Sequence, residues 1–235
     1  MSEYILYHYP ICPFCRKVRF LLNDFGVSYK MQEVKFWKRD EFLLKLNPAS
    51  EVPILLNRKD DTIFVDSFII SEYLITIYNK EADLLTTSYL SDNEVEKAEI
   101  RRIEMWFDKK FYNEVSKYIL EEKVYNTLSS IEPIEINVKR LKAGQKNLDG
   151  HIKYIEFLLE KRDYLAGGFF SLADITAATH LSSLDYLGEI NWSKYPRAKE
   201  WYVAIKSKLA FRNILEDKIV GFTPSKHYSA LDFNN

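Results

Sequence analysis

Glycine and proline are scarce in this chain, seven of each among 235 residues. So low a count argues against long disordered or linker-like stretches. Cysteine is scarcer still. The two present, Cys12 and Cys15, share one motif, which excludes a disulfide framework beyond that pair and fits a reducing cytosol. Excess charge is absent too: the net charge is −1, so nothing draws nucleic acid or an anionic membrane as the main partner. No apolar run is long and unbroken. The most apolar stretch, 63–78, is interrupted by Asp66, Ser67, Ser71 and Glu72, too often for a membrane span. The opening Met1-Ser2-Glu3-Tyr4 has neither a basic segment nor a long apolar one, so no signal peptide is expected and a cytoplasmic protein is. The histidines 8, 151, 180 and 227 are scattered and one C-x-x-C needs two further ligands, so no metal is expected. Gly167-Gly168 lacks the surrounding pattern of a phosphate loop.

What is present is enough to build a core: 47% of residues are hydrophobic and 15% aromatic. The stretch that organises the chain is Cys12-Pro13-Phe14-Cys15. A β-rich run, Tyr4-Ile5-Leu6-Tyr7-His8, precedes it. After it, Val18, Leu21, Leu22 and Phe25 recur at helical spacing. Pro13 suits a first helical position, where its missing N–H is no loss. That puts Cys12 at the N-cap and Cys15 one turn into the helix. A sulfur at the cap faces unpaired N–H groups and the positive end of the helix dipole, and Arg16, Lys17 and Arg19 add positive charge. The Cys12 thiol is therefore expected below its ordinary pKa of roughly 8.5. Strand, C-x-x-C and helix together point to a thioredoxin-like redox or thiol-binding site.

Further on, Gly26 is placed to cap the first helix. A strand is expected over 27–34, ending at Lys35-Phe36-Trp37-Lys38-Arg39, then a short helix over 40–46. Strands follow over 51–57 and 62–65, joined by the polar turn 58–61, and Asp66-Ser67 opens another helix. This β-α-β-α-β-β-α order over residues 1–79 suits a small mixed sheet flanked by helices. Residues 80–91 are expected to be a linker, and 92–220 an all-helical domain. Its long charged first helix breaks over 128–135, at Pro133, and a second runs over 136–161. Ser171 and Asp174 have the spacing of a capping box, with Phe170 and Ile175 as a hydrophobic staple. The helix they open, 172–186, is apolar enough to sit at the centre of the domain. A last helix is expected over 196–209. A tail, 221–235, carries Tyr228, Leu231 and Phe233, either packed back or presented to a partner.

In this order, Cys12-Pro13-Phe14-Cys15, Asn47-Pro48 leading to Val52-Pro53, Asp66-Ser67 and Ser171 through Asp174 resemble the glutathione S-transferase superfamily. The resemblance implies a thioredoxin-like N-terminal domain, a linker and an all-α C-terminal domain. It implies glutathione as co-substrate. Val52 would pair with its cysteinyl part beside a cis Pro53, and Asp66 and Ser67 would hold its γ-glutamyl end. Lys38, or Lys35 or Arg39, would meet its glycyl carboxylate. Cys12 would lie beside the glutathione sulfur, as in cysteine-type members, with Cys15 resolving. Such members favour thiol transfer and disulfide reduction over conjugation, because mixed-disulfide chemistry needs an attacking thiolate. The second substrate would be a small electrophile or a disulfide, and the protein a homodimer. Tyr4 and Tyr7 are weighed as tyrosine-type catalytic residues, with core packing preferred.

Trp106-Phe107-Asp108-Lys109-Lys110-Phe111-Tyr112, Glu121-Glu122-Lys123, Leu184-Asp185-Tyr186-Leu187-Gly188 and the ending 227–233 resemble an alphaproteobacterial branch of the same superfamily. That branch includes division regulators that bind the tubulin-like protein FtsZ. It implies the alternative, a non-catalytic interaction protein. Whether this chain is an enzyme is left open at this level, with the two cysteines favouring one.

Overall fold

The computed structural model describes residues 2–81, 89–132 and 134–231. The expected break at Pro133, the middle of the expected linker and the tail residue Phe233 lie outside them.

The N-terminal part is a four-stranded mixed sheet. Its strands are β1 (Tyr4–His8), β2 (Tyr29–Glu33), β3 (Ile54–Asn57) and β4 (Ile63–Val65), in the spatial order β2-β1-β3-β4. β1 runs parallel to β2 and antiparallel to β3, and β3 antiparallel to β4. The strands β2 and β3 are shorter than expected, and β3 begins only after Pro53, which has no N–H to give a ladder. α1 (Pro13–Asp24) follows β1. Gly26 ends it with φ +64, a conformation glycine adopts without cost, as its spacing implied. α2 (Glu41–Leu46) is capped by Asp40, whose carboxylate accepts from the Leu43 N–H at 2.8 Å. α3 (Ser67–Glu81) follows β4 and packs on α1. A core of Tyr7, Leu43 and Ile54 lies between the sheet and α2.

The second part is helical. One long rod runs from α4 (Glu94–Met105) through a π-helical stretch (Trp106–Ser116), α5 (Lys117–Leu120), a second π-helical turn (Glu121–Tyr125) and α6 (Asn126–Ser129). α7 (Val138–Leu158) packs along the π-helical stretch. Where α7 passes α5, Gly144 lets the backbones approach, for a Cβ would stand 3.1 Å from Tyr118 Cβ. α8 (Leu172–Tyr186) is buried at every residue, as its low charge predicted. Its hydroxyls are satisfied within the helix: Thr176 Oγ1 donates to the Leu172 carbonyl and Thr179 Oγ1 to that of Ile175. The capping box between Ser171 and Asp174 is formed. The Asp174 carboxylate accepts from the N–H groups of Ser171 and Leu165 and from the Trp201 indole, at 2.9–3.0 Å. α9 (Pro196–Lys206) packs on α7 and α8.

One feature departs from the sequence reading. The helix expected over 196–209 stops at Lys206, and a separate α10 (Leu209–Leu215) packs on α1 through Phe20–Phe211 rings 6.1 Å apart and an Asn23–Ala210 hydrogen bond. The chain accordingly divides into two compact units that are not continuous in sequence. One is Met1–Ser88 with Lys208–Gly221, the other Tyr89–Ser207 with Phe222–Asn235. At the tail, the packed-back alternative holds for Tyr228. Tyr228 is fully buried against Tyr186, with ring centroids 5.0 Å apart, while Leu231 is exposed. Asp185, buried at the end of α8, fastens this segment. Its carboxylate meets His227 Nε2 at 2.7 Å, Trp192 Nε1 at 2.8 Å and Tyr202 OH at 3.2 Å, with Lys206 Nζ at 3.8 Å. Its carbonyl accepts from Ser225 Oγ at 2.7 Å.

Candidate functional site

The register of the sheet decides which loops meet. Tyr7 lies opposite Ile54, and Ile54 opposite Val65. The C-terminal end of β1, the N-terminal end of β3 and the C-terminal end of β4 therefore share one edge of the sheet. His8 pairs with Glu33, which brings the end of β2 to the same edge. Cys12, Val52-Pro53, Asp66-Ser67 and Lys35–Lys38 all follow or precede strand ends on that side, although up to 55 residues separate them in sequence.

Cys12 is the N-cap residue of α1, with φ −67 and ψ 118, and Pro13 follows in the first turn. Its thiol makes no capping bond. It is 5% exposed, and its Sγ lies 3.9 Å from the carbonyl oxygen of Val52. Burial pushes the thiol pKa up. The Cys15 thiol, the N–H groups of Cys15 and Phe14, and the Arg16 guanidinium together outweigh it, so Cys12 sits below its ordinary value. Cys15 is fully buried and moves well upward, from burial first and then from donating to Cys12. One sulfur is thus prepared to be a thiolate and the other to remain a thiol. Both are reduced.

The peptide bond between Val52 and Pro53 is cis. The Val52 N–H has no hydrogen-bond acceptor among the described residues. Asp66 has φ +73, a left-handed conformation that few non-glycine residues adopt. It caps α3: its carbonyl accepts from Ile70 and its Oδ1 from the Phe68 N–H at 2.7 Å. Asp66 is exposed and Ser67 beside it is buried. Capping and ligand holding are therefore not exclusive, since one oxygen caps and the other faces solvent. Lys35, Lys38 and Arg39 are exposed on and around a 3-10 turn, Phe36–Lys38. Trp37 of that turn stands edge-on to Tyr9, with centroids 4.9 Å apart.

The basic residues after the motif do not project into solvent. Arg16, Lys17 and Arg19 are all buried. Arg16 Nε donates to the Pro10 carbonyl at 2.8 Å, and Arg19 to Asp217 and to the Asn213 carbonyl. Asp217 was invisible from sequence, because α10 is too short to show a periodicity. The tyrosines belong to the core. Tyr4 hydroxyl meets those of Tyr73 and Tyr78, and burial followed by these contacts raises its pKa; burial raises that of Tyr7. His8 is buried, and burial followed by the charge of Arg19 lowers it to about 3, so it is neutral.

A cavity of about 280 Å³ lies in the helical unit, lined by Trp106, Lys110, Glu114, Lys146, Asn147, Gly150 and His151. Trp106 Nε1 donates to His151 Nδ1 and His151 Nε2 meets Glu114, both at 3.0 Å. None of the residues weighed from sequence for glutathione or thiol chemistry lines it. Among the described residues no helix is long and apolar enough to cross a membrane.

A four-stranded mixed sheet, a cis proline facing an N-capping cysteine and a helical second domain define a thioredoxin-like glutathione-transferase fold. Residues 6–82 match the family model for the glutathione S-transferase N-terminal domain and residues 138–204 that for the C-terminal domain. The chain belongs to the glutathione S-transferase family, whose members use glutathione as a substrate. It is 36% identical over 231 residues to FtsZ-localized protein A of Caulobacter vibrioides, covering 98% of this chain and 99% of that one. Among solved structures it is similar to a glutathione S-transferase from Sinorhizobium meliloti 1021, with 34% identity, a TM-score of 0.93 and coverage of 99% and 100%. It is also similar to FzlA from C. crescentus, with 35% identity, a TM-score of 0.91 and the same coverage.

Proposed function

We propose that this chain binds glutathione at the shared sheet edge and transfers thiols through Cys12. The observation that carries this reading is an N-capping cysteine, depressed below its ordinary pKa, facing the carbonyl of a residue whose own N–H is unused. An extended cysteinyl unit pairs with such a backbone as one more strand does. Asp66 and the start of α3 would take the γ-glutamyl amine and carboxylate, and Lys38 the glycyl carboxylate. In the reaction, the Cys12 thiolate attacks the glutathione sulfur of a glutathione mixed disulfide, and the other sulfur leaves as a thiolate that takes up a proton. A mixed disulfide on Cys12 remains. A glutathione thiolate then attacks the glutathione sulfur of that mixed disulfide, which releases oxidised glutathione and restores Cys12. Cys15 can resolve the same intermediate from within, though its raised pKa makes it the slower nucleophile. Calorimetric titration of the reduced protein with glutathione is the test. Binding in the millimolar range or tighter, weakened in Asp66→Ala, supports the site, and loss of disulfide reduction in Cys12→Ser supports the chemistry. No binding removes both.

The second reading is an interaction protein that binds FtsZ and regulates division. It is favoured by similarity over nearly the whole chain to a protein named for its localisation to FtsZ. Co-sedimentation with FtsZ polymers tests it, and Cys12→Ser leaves that binding intact if the readings are separate. We place the protein in the cytoplasm as a homodimer. A monomer at micromolar concentration in sedimentation velocity removes the dimer.

A further inference from the structure

We propose that Asp217 restrains the reactivity of Cys12 by holding the guanidinium groups of Arg16 and Arg19 beneath the start of α1; this rests on Cys12 being the working thiol. Arg16 follows Cys12 by four residues and Arg19 follows Cys15 by four, so each cation lies one helical turn below a sulfur, on the same face. Neither reaches solvent, with exposures of 0% and 1%. One carboxylate serves both: Asp217 Oδ2 lies 2.7 Å from Arg19 Nη1 and 3.6 Å from Arg16 Nη2, and is itself only 9% exposed. Other contacts fix the two cations independently of it, the Pro10 carbonyl for Arg16 and the Asn213 carbonyl for Arg19. Pro10 is two residues before Cys12, so the Arg16 guanidinium is tied to the loop that carries the sulfur. Of the other titratable neighbours, Lys17 is buried on α1 one residue beyond Arg16 and keeps its place in every variant below, and two add no charge at neutral pH. His8 is neutral, and Tyr29, whose hydroxyl donates to Asn23, is raised by burial.

The sulfurs thus sit above two positive charges and one negative. The positive pair favours a thiolate and the shared carboxylate takes part of that field away. This makes Asp217 a positioning and charge-balancing residue contributed from 205 positions downstream of Cys12, and α10 the element that delivers it. A purely structural carboxylate would tie α10 to α1 without altering the titration of Cys12.

The experiment is the pH profile of Cys12 alkylation by iodoacetamide, read site by site by mass spectrometry. In Asp217→Asn the amide still accepts from Arg19, but the negative charge is gone. The midpoint should fall by about half a unit to one unit. The rate well below the midpoint should rise only about two- to threefold, because a thiolate of lower pKa is also the weaker nucleophile. Asp217→Glu should restore the wild-type midpoint. Arg16→Lys, whose shorter point charge cannot span Pro10 and Asp217 together, should raise it. General loosening of α1 would move both variants the same way; opposite shifts support the proposal. An unchanged or raised midpoint in Asp217→Asn overturns it, and if that variant does not fold, an unchanged midpoint in Arg16→Lys overturns it. A wild-type Cys12 that titrates no lower than an ordinary thiol instead overturns the reading of Cys12 itself.

Discussion

Cys12 and Asp185 are both buried polar centres at helix ends, and they are built in opposite ways. Asp185 is surrounded by donors: an imidazole, an indole, a phenol and an ammonium converge on one carboxylate. Among the described residues the Cys12 thiol has one hydrogen-bond contact outside its own helix, a sulfur to carbonyl approach of 3.9 Å. A carboxylate at a helix C-terminus opposes the dipole and persists only because cations and donors surround it. A thiolate at a helix N-terminus is favoured by the dipole, to which the Arg16 guanidinium adds. The lesson is that saturation marks the structural centre, and an unfilled valence is what the proposed thiol chemistry at Cys12 requires.

Substitution should separate them by the widest margin. Asp185→Ala leaves buried Lys206 and half-buried His227 without their carboxylate, and breaking such a group costs about 3–5 kcal/mol. Chemical denaturation should show that loss, and trypsin should cut at Lys226 faster as the segment comes free. Cys12→Ser, by contrast, should cost under about 1 kcal/mol and abolish thiol transfer. A Cys12→Ser variant as unstable as Asp185→Ala would break the comparison.

The next largest effect belongs to His8, whose Nδ1 is buried with no hydrogen-bond partner among the described residues. Its pKa in the folded chain is about 3, against about 6.5 unfolded. A base with a depressed folded pKa contributes stability that is complete above pH 6.5. That contribution is lost as pH falls toward 3, because the unfolded chain then binds the proton first. At about 1.4 kcal/mol per unit, the decline amounts to a few kcal/mol. His8→Asn should flatten this limb of the stability profile. A slope unchanged between pH 6.5 and 4 would assign the acid sensitivity to other groups.

Much of this was legible in the sequence. The strand, C-P-F-C and helix junction places Cys12 at its cap without any long-range information, because capping is local. α8 was equally plain, since a helix with no charged face has to be enclosed. The register that gathers Val52, Asp66 and Lys38 beside Cys12 was available only as a resemblance, because strand pairing is not local. Asp217 and His227 were not legible at all. Each acts through one contact to an element far away in sequence, and neither a seven-residue helix nor a tail has a period to betray which side faces inward.

The smallest effect is the sharpest for the ligand. Asp66 both caps α3 and holds a left-handed φ, so its removal confounds stability with binding. Three substitutions resolve this. Asparagine caps as well as aspartate and tolerates the same φ, so Asp66→Asn should leave stability within about 0.5 kcal/mol. Glycine relieves the φ while losing the side-chain cap, a net change of a few tenths. Alanine loses the cap and keeps the unfavourable φ, at about 1–2 kcal/mol. Glutathione affinity should follow a different order. If the free oxygen of Asp66 answers the γ-glutamyl amine, Asp66→Asn binds more weakly by about three- to tenfold at unchanged stability, because only the charge is gone. If Asp66 serves α3 alone, affinity in Asp66→Asn equals wild type, and the site at this sheet edge loses its one acidic ligand.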